Sequence, residues 1–292
     1  MPTVECVLEA KARVGESAIW DDAEKALFWT DIEGGHIHRF DPAIGANVTF
    51  DMGERTGCMA IRQGGGAVVG TESGIYTYDF ESRTKTRIAD PEAHRPENRF
   101  NDSCTDRQGR WWLGSCGMMQ PPRNESAFYR LDADHSVTRW REEFYTTNGL
   151  AFSPDGRTMY FSDSNPMVRK IWVCDYDPQT GTPGEPRLFF DTNGVPGRPD
   201  GGTVDNDGCY WMAGVSGWQM LRLTPAGEID MIVDMPVEKP SKPAFGGPDN
   251  DILFVTSIGI MPTPGREQPL AGGLFAITGL PCGGLPSVRF AG

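Results

Sequence analysis

The stretch Pro154-Asp-Gly-Arg-Thr-Met-Tyr-Phe-Ser-Asp-Ser164 joins a tight turn to a short apolar run, and the strand-like run Ile171-Trp-Val-Cys174 follows it. The chain contains six apolar runs of this kind: each ends in a small residue, most follow a turn, and a second strand-like run comes after. These runs are Leu27–Thr30, Ala67–Thr71, Trp111–Ser115, Tyr160–Ser164, Tyr210–Gly214 and Leu253–Ser257. Their spacing is roughly 40–50 residues, which is the length of one β-propeller blade.

The repeats predict the fold. One four-stranded sheet of this size cannot bury both of its faces, whereas six sheets packed around an axis can, and they leave a central channel. We therefore predict an all-β fold, a six-bladed β-propeller, as a single domain over residues 1–292. The run Thr3–Leu8 has no partner in the first repeat, and the last repeat, from Phe254 onward, needs a closing strand. We predict that this N-terminal strand closes the ring without exposed edges.

Composition excludes several classes of function. The chain has 27 Lys and Arg against 40 Asp and Glu, a net charge of −13, and no basic run that would suit nucleic acid. No apolar stretch approaches the roughly 20 residues of a membrane helix, and the first residues do not resemble a signal peptide. Seven scattered cysteines without a C-x-x-C pair indicate reduced, mostly buried thiols in a cytoplasmic protein, with a single disulfide as the alternative.

Some segments depart from the repeat. Asp90–Asn101, Gly117–Ser126 and Asn193–Asp200 are long and irregular, and we predict loops there, where binding residues are often found. His36 and His38 are spaced to lie on one face of a strand. They could form half of a metal site, but the simpler interpretation is a solvent-facing side of that strand.

Four polar residues stand at the entrances of different repeats. They are Glu16, Asn101, Asn148 and Asp200. Equivalent positions in a propeller point at the axis, and a ring of carboxylate and amide oxygens without His or Cys suits a hard divalent cation. The alternative is that the Asn-Gly and Asp-Gly pairs simply form turns. The residues alone leave both interpretations open.

Several motifs, in order, resemble those of the senescence marker protein-30/gluconolactonase/luciferin-regenerating enzyme family. They are Val4-Glu-Cys-Val-Leu, Gly15-Glu-Ser-Ala-Ile-Trp, Asn98-Arg-Phe-Asn-Asp, Asn148-Gly-Leu-Ala-Phe-Ser-Pro-Asp-Gly, Pro199-Asp-Gly and Phe245-Gly-Gly. The resemblance covers essentially the whole chain and implies a six-bladed propeller with one axial divalent metal ion. It implies Glu16, Asn148 and Asp200 as metal ligands, Arg99 and Asn101 as substrate-binding residues, and Asp200 also as the general base.

The activity implied by the resemblance is metal-dependent hydrolysis of a sugar (aldono-) lactone to the aldonic acid, in carbohydrate catabolism. The expected partner is a small sugar lactone and the expected state a monomer or weak homo-oligomer. The metal can be Ca²⁺, Mg²⁺, Mn²⁺, Zn²⁺ or Fe²⁺. Where vertebrate members carry an acidic substrate-contacting residue, this chain has Met118-Met119, so we expect a different pattern of hydroxyl recognition.

Two alternatives remain. The same metal and base could serve a promiscuous hydrolase of phosphate esters or organophosphates. A calcium-binding regulatory propeller module is the second, although Arg99 and Asn101 have no evident role in a pure interaction scaffold.

Overall fold

The computed structural model describes residues 2–292, so Met1, the first residue of the predicted domain, lies outside the described residues. The strands form six antiparallel sheets, the blades of a β-propeller. The innermost strands of blades 1 to 6, numbered in chain order, are β2 (Gly15–Asp21), β6 (Thr56–Ile61), β10 (Asn98–Thr105), β14 (Thr147–Phe152), β19 (Arg198–Val204) and β23 (Pro240–Gly246).

The remaining strands complete the blades outward from the axis. The second strands are β3 (Ala26–Asp31), β7 (Ala67–Thr71), β11 (Trp111–Gly117), β15 (Thr158–Asp163), β20 (Tyr210–Val215) and β24 (Ile252–Ser257). The third strands are β4 (His36–Asp41), β8 (Ile75–Asp79), β12 (Ser126–Leu131), β16 (Lys170–Asp177), β21 (Gln219–Leu223) and β25 (Leu274–Thr278). The outer strands are β1 (Thr3–Leu8), β5 (Ala46–Asp51), β9 (Thr84–Ala89), β13 (Val137–Phe144), β17 (Thr182–Pro183), β18 (Arg187–Asp191) and β22 (Ile229–Asp234), and a 3-10 turn spans Thr192–Gly194.

The six sheets form a closed ring. Each inner strand contacts the inner strands of the two neighbouring blades, including β2 with β23. The N-terminal strand β1 pairs antiparallel with β25, with Thr3 opposite Thr278 and Cys6 opposite Phe275. The predicted six-bladed propeller and its closure by the N-terminal strand are therefore confirmed.

The apolar core is divided into six clusters, one at each interface between neighbouring blades. Strand β3, for example, contributes side chains to two of these clusters. Leu27 and Trp29 pack toward blade 6, whereas Ala26 and Phe28 pack toward blade 2. Because successive side chains point to opposite faces and both faces are covered, the second strands are apolar at nearly every position. This explains why the repeated runs were visible in the sequence.

Every inner strand shifts its pairing register with the second strand at the same place. The shifts lie at Glu16/Ile19, Thr56/Cys58, Phe100/Ser103, Asn148/Ala151, Pro199/Gly202 and Pro240/Pro243. A register shift of this kind bends the strand and re-aims its side chains. The six shifts therefore re-aim side chains where the inner strands surround the axis.

Two predictions about local structure are wrong. Arg99, Asn101 and Asp200 lie on inner strands rather than in loops, because the segments Asp90–Asn101 and Asn193–Asp200 run into β10 and β19. His38 is buried, with 9% of its surface exposed, instead of facing solvent. It stacks on Trp29 with ring centroids 3.9 Å apart.

The C-terminal segment crosses one end of the ring. Arg289 makes hydrogen bonds of 2.7 and 2.6 Å to the two carboxylate oxygens of Asp21, and Phe290 is fully buried between blades 2 and 3. The segment covers a cavity of about 110 Å³ lined by the later residues of all six inner strands. Among residues 2–292, no helix is long and apolar enough to cross a membrane, and all seven cysteines are free thiols, five of them buried.

Candidate active site

The structure brings the predicted site residues to the ring of inner strands. Glu16, Asn101, Asn148 and Asp200 lie in blades 1, 3, 4 and 5, and all four are buried. Each is the last paired or the first unpaired residue at the register shift of its strand. Burial of four polar side chains at one repeated position argues against the alternative that they only form turns.

Asn148 and Asp200 are in direct contact. Asn148 Nδ2 donates hydrogen bonds of 2.6 Å to Asp200 Oδ1 and 3.0 Å to Ser164 Oγ. Both N–H groups of this amide are then used, whereas its oxygen Oδ1 is buried and has no hydrogen-bond partner among residues 2–292. A buried acceptor without a partner carries a desolvation penalty of about 1–3 kcal/mol.

Glu16 interacts with Asp200 through charge and not through a hydrogen bond. Its Oε2 accepts a hydrogen bond of 3.1 Å from the backbone amide of Ser17, and within residues 2–292 no hydrogen bond joins it to Asn148 or Asp200. Burial raises the pKa of Glu16 well above its usual value, and the charges of Asp200 and Asp102 raise it further. Burial also raises the pKa of Asp200 to about 7, an effect that the positive charge of Arg198 opposes. Burial and repulsion from neighbouring carboxylates disfavour the ionised form of both carboxyl groups. A cation bound beside them would stabilise that ionised form.

Arg99 and Asn101 form a second contact pair on β10. Arg99 Nη1 donates hydrogen bonds of 2.7 Å to Asn101 Oδ1 and 2.9 Å to the carbonyl oxygen of Phe100. Asn101 Nδ2 donates to the carbonyl oxygen of Thr147 at 2.9 Å, next to Asn148, which joins the two pairs. Arg99 Nε is buried without a partner, and no carboxylate of the described chain pairs with this guanidinium. Arg99 therefore has donors free for a ligand.

Two carboxylates hold the segments that enter the inner strands. Asp31 accepts hydrogen bonds from the backbone amides of Arg13 and Val14, at 3.0 and 2.9 Å, just before Glu16. Asp163 plays the same part in blade 4, where it accepts from Tyr145 and Thr146 at 2.8 and 3.1 Å, just before Asn148. Asp31 and Asp163 thus fix the backbone just before the predicted ligands Glu16 and Asn148, at equivalent places in blades 1 and 4.

Sequence reasoning missed three charged residues near the site. Asp102 and Lys242 form a buried ion pair with an N–O distance of 2.6 Å. Arg198 precedes Asp200 by two residues, as Arg99 precedes Asn101. Asp102 was part of a quoted motif, and an alignment of the inner strands by repeat would have placed Lys242 and Arg198 on the ring.

The residues present fit a divalent cation bound by oxygen. Among residues 2–292, no three His, Cys, Asp or Glu side chains converge as a set of ligands. The predicted set contains only two such carboxylates, and its third oxygen is the unpartnered amide oxygen of Asn148. Oxygen donors of this type are those that Ca²⁺, Mg²⁺ and Mn²⁺ prefer.

Met118 and Met119 follow the end of β11. The backbone amide of Met118 donates a hydrogen bond of 3.0 Å to the carbonyl oxygen of Glu97, directly before the strand that carries Arg99. The segment therefore lies beside the entrance of β10. Its role in substrate recognition stays a prediction.

Comparisons with known proteins identify the family of this chain. Residues 14–259 match the family model described as the SMP-30/gluconolactonase/LRE-like region. A 6-deoxy-6-sulfogluconolactonase of Pseudomonas putida is 38% identical over 256 residues, 87% of each chain. Regucalcin of Xenopus laevis is 32% identical over 296 residues, 99% of this chain and 98% of its own.

Solved structures show the same architecture. A luciferin-regenerating enzyme superposes with a TM-score of 0.92 at 28% identity, and the match covers 100% of both chains. The family model spans most of the sequence, from residue 14 to residue 259. The chain therefore belongs to the SMP-30/gluconolactonase/luciferin-regenerating enzyme family.

Proposed function

We propose that this protein hydrolyses a sugar lactone to the corresponding aldonic acid. The family membership confirms the expectation of a lactone-hydrolysing enzyme. The observation that carries the proposal is the buried Asn148–Asp200 contact, with the amide oxygen of Asn148 left without a partner beside the carboxylate. Such an arrangement has no evident structural purpose, because the unpartnered oxygen lowers stability.

Glu16, Asn148 and Asp200 would hold one divalent cation. When bound, such an ion polarises a lactone carbonyl and lowers the pKa of a water molecule. The ion's identity stays open among Ca²⁺, Mg²⁺, Mn²⁺, Zn²⁺ and Fe²⁺. The two carboxylates supply negative charge, and the Asn148 amide supplies a neutral oxygen.

The chain's own residues would then carry out the proton transfer and the positioning. Asp200 accepts a proton from the attacking water as the water oxygen bonds to the lactone carbonyl carbon, and it returns this proton to the ring oxygen as the ring C–O bond breaks. Arg99 places its free donors near the oxygen on which negative charge develops when the ring ester opens. Asn101, held by Thr147 and Arg99, fixes the direction of that guanidinium. The products are the hydroxyl and carboxylate of the open acid, with no covalent enzyme intermediate.

The test is a panel of aldonolactones, assayed by acid release, with metal-free protein and with each metal added back. We expect hydrolysis of at least one lactone that disappears on chelation and returns with one divalent ion. Hydrolysis of phosphate esters without lactone hydrolysis would replace the proposal by the phosphoesterase alternative. No turnover of either class with metal present would favour the calcium-binding module.

A further inference from the structure

Arg198 occupies the same place in blade 5 that Arg99 occupies in blade 3. Each arginine precedes the site residue of its inner strand by two positions, Asn101 in one case and Asp200 in the other. Side chains two residues apart on a strand point to the same side, and the Arg99–Asn101 hydrogen bond shows this arrangement directly. Arg198 therefore lies at the same end of the ring as Arg99, in the blade that follows the one carrying Asn148.

Arg198 forms no ion pair within residues 2–292, although its positive charge opposes the rise that burial causes in the pKa of the nearby Asp200 carboxyl. Its one side-chain hydrogen bond is a long one of 3.4 Å from Nη1 to Ser216 Oγ. Arg55 enters blade 2 at the corresponding place but is neutralised by Glu33 and Glu72, at 3.1 and 3.3 Å. Most N–H donors of the half-buried Arg198 guanidinium make no hydrogen bond within the described chain. They are suited to bind an anionic group of a ligand.

A second guanidinium, that of Arg266, contacts the turn that Arg198 reaches. Arg266 covers the ring of Trp218 at 3.5 Å, and Trp218 stands two residues after Ser216, which Arg198 contacts. Within the described residues, Arg266 has no carboxylate partner either. Glu238 holds this loop over the blade boundary by accepting hydrogen bonds from Thr263 and Gln268. Two guanidinium groups without an ion pair among the described residues, those of Arg198 and Arg266, therefore lie near the boundary of blades 5 and 6.

We propose that Arg198 forms a subsite for an oxyanion carried by the lactone at the end away from its reacting carbonyl. This inference rests on the proposed lactone hydrolysis. Arg99 donates hydrogen bonds to the oxygens around the reacting carbonyl. Arg198 binds a sulfonate, phosphate or carboxylate substituent through paired N–H donors. The substrate class is therefore a sugar lactone with an added acidic group, rather than a neutral sugar lactone.

The test compares glucono-1,5-lactone with its 6-phosphate and its 6-deoxy-6-sulfo derivative, so that the two oxyanions are distinguished. The proteins are the wild type, Arg198→Met, and the control Arg141→Met, which removes an exposed charge on the outer strand β13. We expect the wild type to favour at least one anionic lactone about tenfold or more in kcat/KM. Arg198→Met should reduce that preference about tenfold, mainly through KM, as loss of a charge-assisted hydrogen bond predicts. The control should keep it.

A binding measurement separates this inference from the proposed function. Calorimetric titration of metal-free protein with gluconate and 6-phosphogluconate should show tighter binding of the phosphate, and Arg198→Met should remove most of the difference. An equal loss of affinity for gluconate and for 6-phosphogluconate would mean that Arg198 acts only on the charge of Asp200, and would overturn the inference. So would a wild-type preference for the neutral lactone. If no lactone is hydrolysed, the proposed function fails, and the binding titration still decides the role of Arg198.

Discussion

Lys242 Nζ donates a hydrogen bond of 2.6 Å to Asp102 Oδ1, so that the inner strands of blades 6 and 3 are joined across the ring. The other oxygen, Asp102 Oδ2, accepts a hydrogen bond of 2.9 Å from the backbone amide of Leu150, two residues after Asn148. Both charged groups are almost completely buried. The ion pair therefore fixes the backbone of blade 4 where it carries a predicted metal ligand.

Replacing Lys242 by Met should destabilise the protein strongly. The substitution leaves the Asp102 carboxylate buried without its cation, which typically lowers the free energy of unfolding by about 3–5 kcal/mol. Urea unfolding measures the loss. The double variant Asp102→Asn/Lys242→Met should recover part of it, because the amide oxygen can still accept from Leu150 while the stranded charge is gone. A single variant within about 1 kcal/mol of the wild type would contradict this account.

Glu16→Gln should weaken metal binding. The change removes one negative charge from the proposed ligand set and keeps the shape of the side chain, so we expect affinity for the activating ion to fall at least about tenfold. Metal titration of the apoprotein measures this. Glu228→Gln, on an exposed turn, is the control and should bind as the wild type does. Unchanged affinity in Glu16→Gln would remove Glu16 from the ligand set.

Asp200→Asn should separate the two proposed roles of this residue. Its amide oxygen can still bind the metal, but the group cannot accept a proton. At saturating metal we expect kcat to fall at least about a hundredfold, as for loss of a general base. The measurement is kcat against metal concentration. If saturating metal restored kcat to near the wild-type value, Asp200 would be a ligand only.

Arg99→Ala should impair the reaction without loss of metal. Because Arg99 contacts Asn101 and has further free donors, its removal should lower kcat/KM about 10- to 100-fold, through KM, kcat or both. Metal content after dialysis should stay at the wild-type level. A metal-free Arg99→Ala protein would show that this arginine supports the ion instead of the substrate.

Stability should fall on mild acidification because of His38. Burial, together with the charge of His36, lowers the pKa of His38 to about 4. Between pH 6.5 and about 4 the unfolded chain binds a proton that the folded protein does not, so stability is present above pH 6.5 and is lost as the pH falls. From pH 7 to pH 5 this amounts to roughly 2 kcal/mol.

Urea unfolding of the wild type and His38→Gln at both pH values checks this. The variant should lose that part of the pH dependence, and His94→Gln, an exposed histidine, should retain it. Identical pH dependence in the wild type and His38→Gln would show that His38 titrates normally in the folded protein.

The sequence revealed the strands that have apolar neighbours on both faces. The second and third strands of each blade, such as Trp111–Gly117 and Ser126–Leu131, carried a clear pattern because two blade interfaces cover them. Outer strands such as Thr84–Ala89 are largely exposed and polar, and gave no signal. Inner strands were missed because their register shifts break the alternation, which is why Arg99 and Asn101 were predicted in a loop.

The site was predictable only where a motif carried it. Glu16, Asn148 and Asp200 were found through recurrence at one phase of the repeat and through family motifs. Lys242 and Asp102 are 140 residues apart, and no local pattern relates them. His38 was misjudged because its burial depends on Trp29 and on Asn47, whose Nδ2 donates to His38 Nδ1 at 3.0 Å.

The pairing of β1 with β25 also sets an order of events during synthesis. The ribosome releases Thr3–Leu8 long before Leu274–Thr278, yet these two strands lie side by side in one blade. Glu16 and Asp200 reach their final separation only once the ring has closed. If they bind a cation as proposed, a nascent chain with five finished blades lacks the assembled site, and the ability to bind metal should arise as the last step of folding.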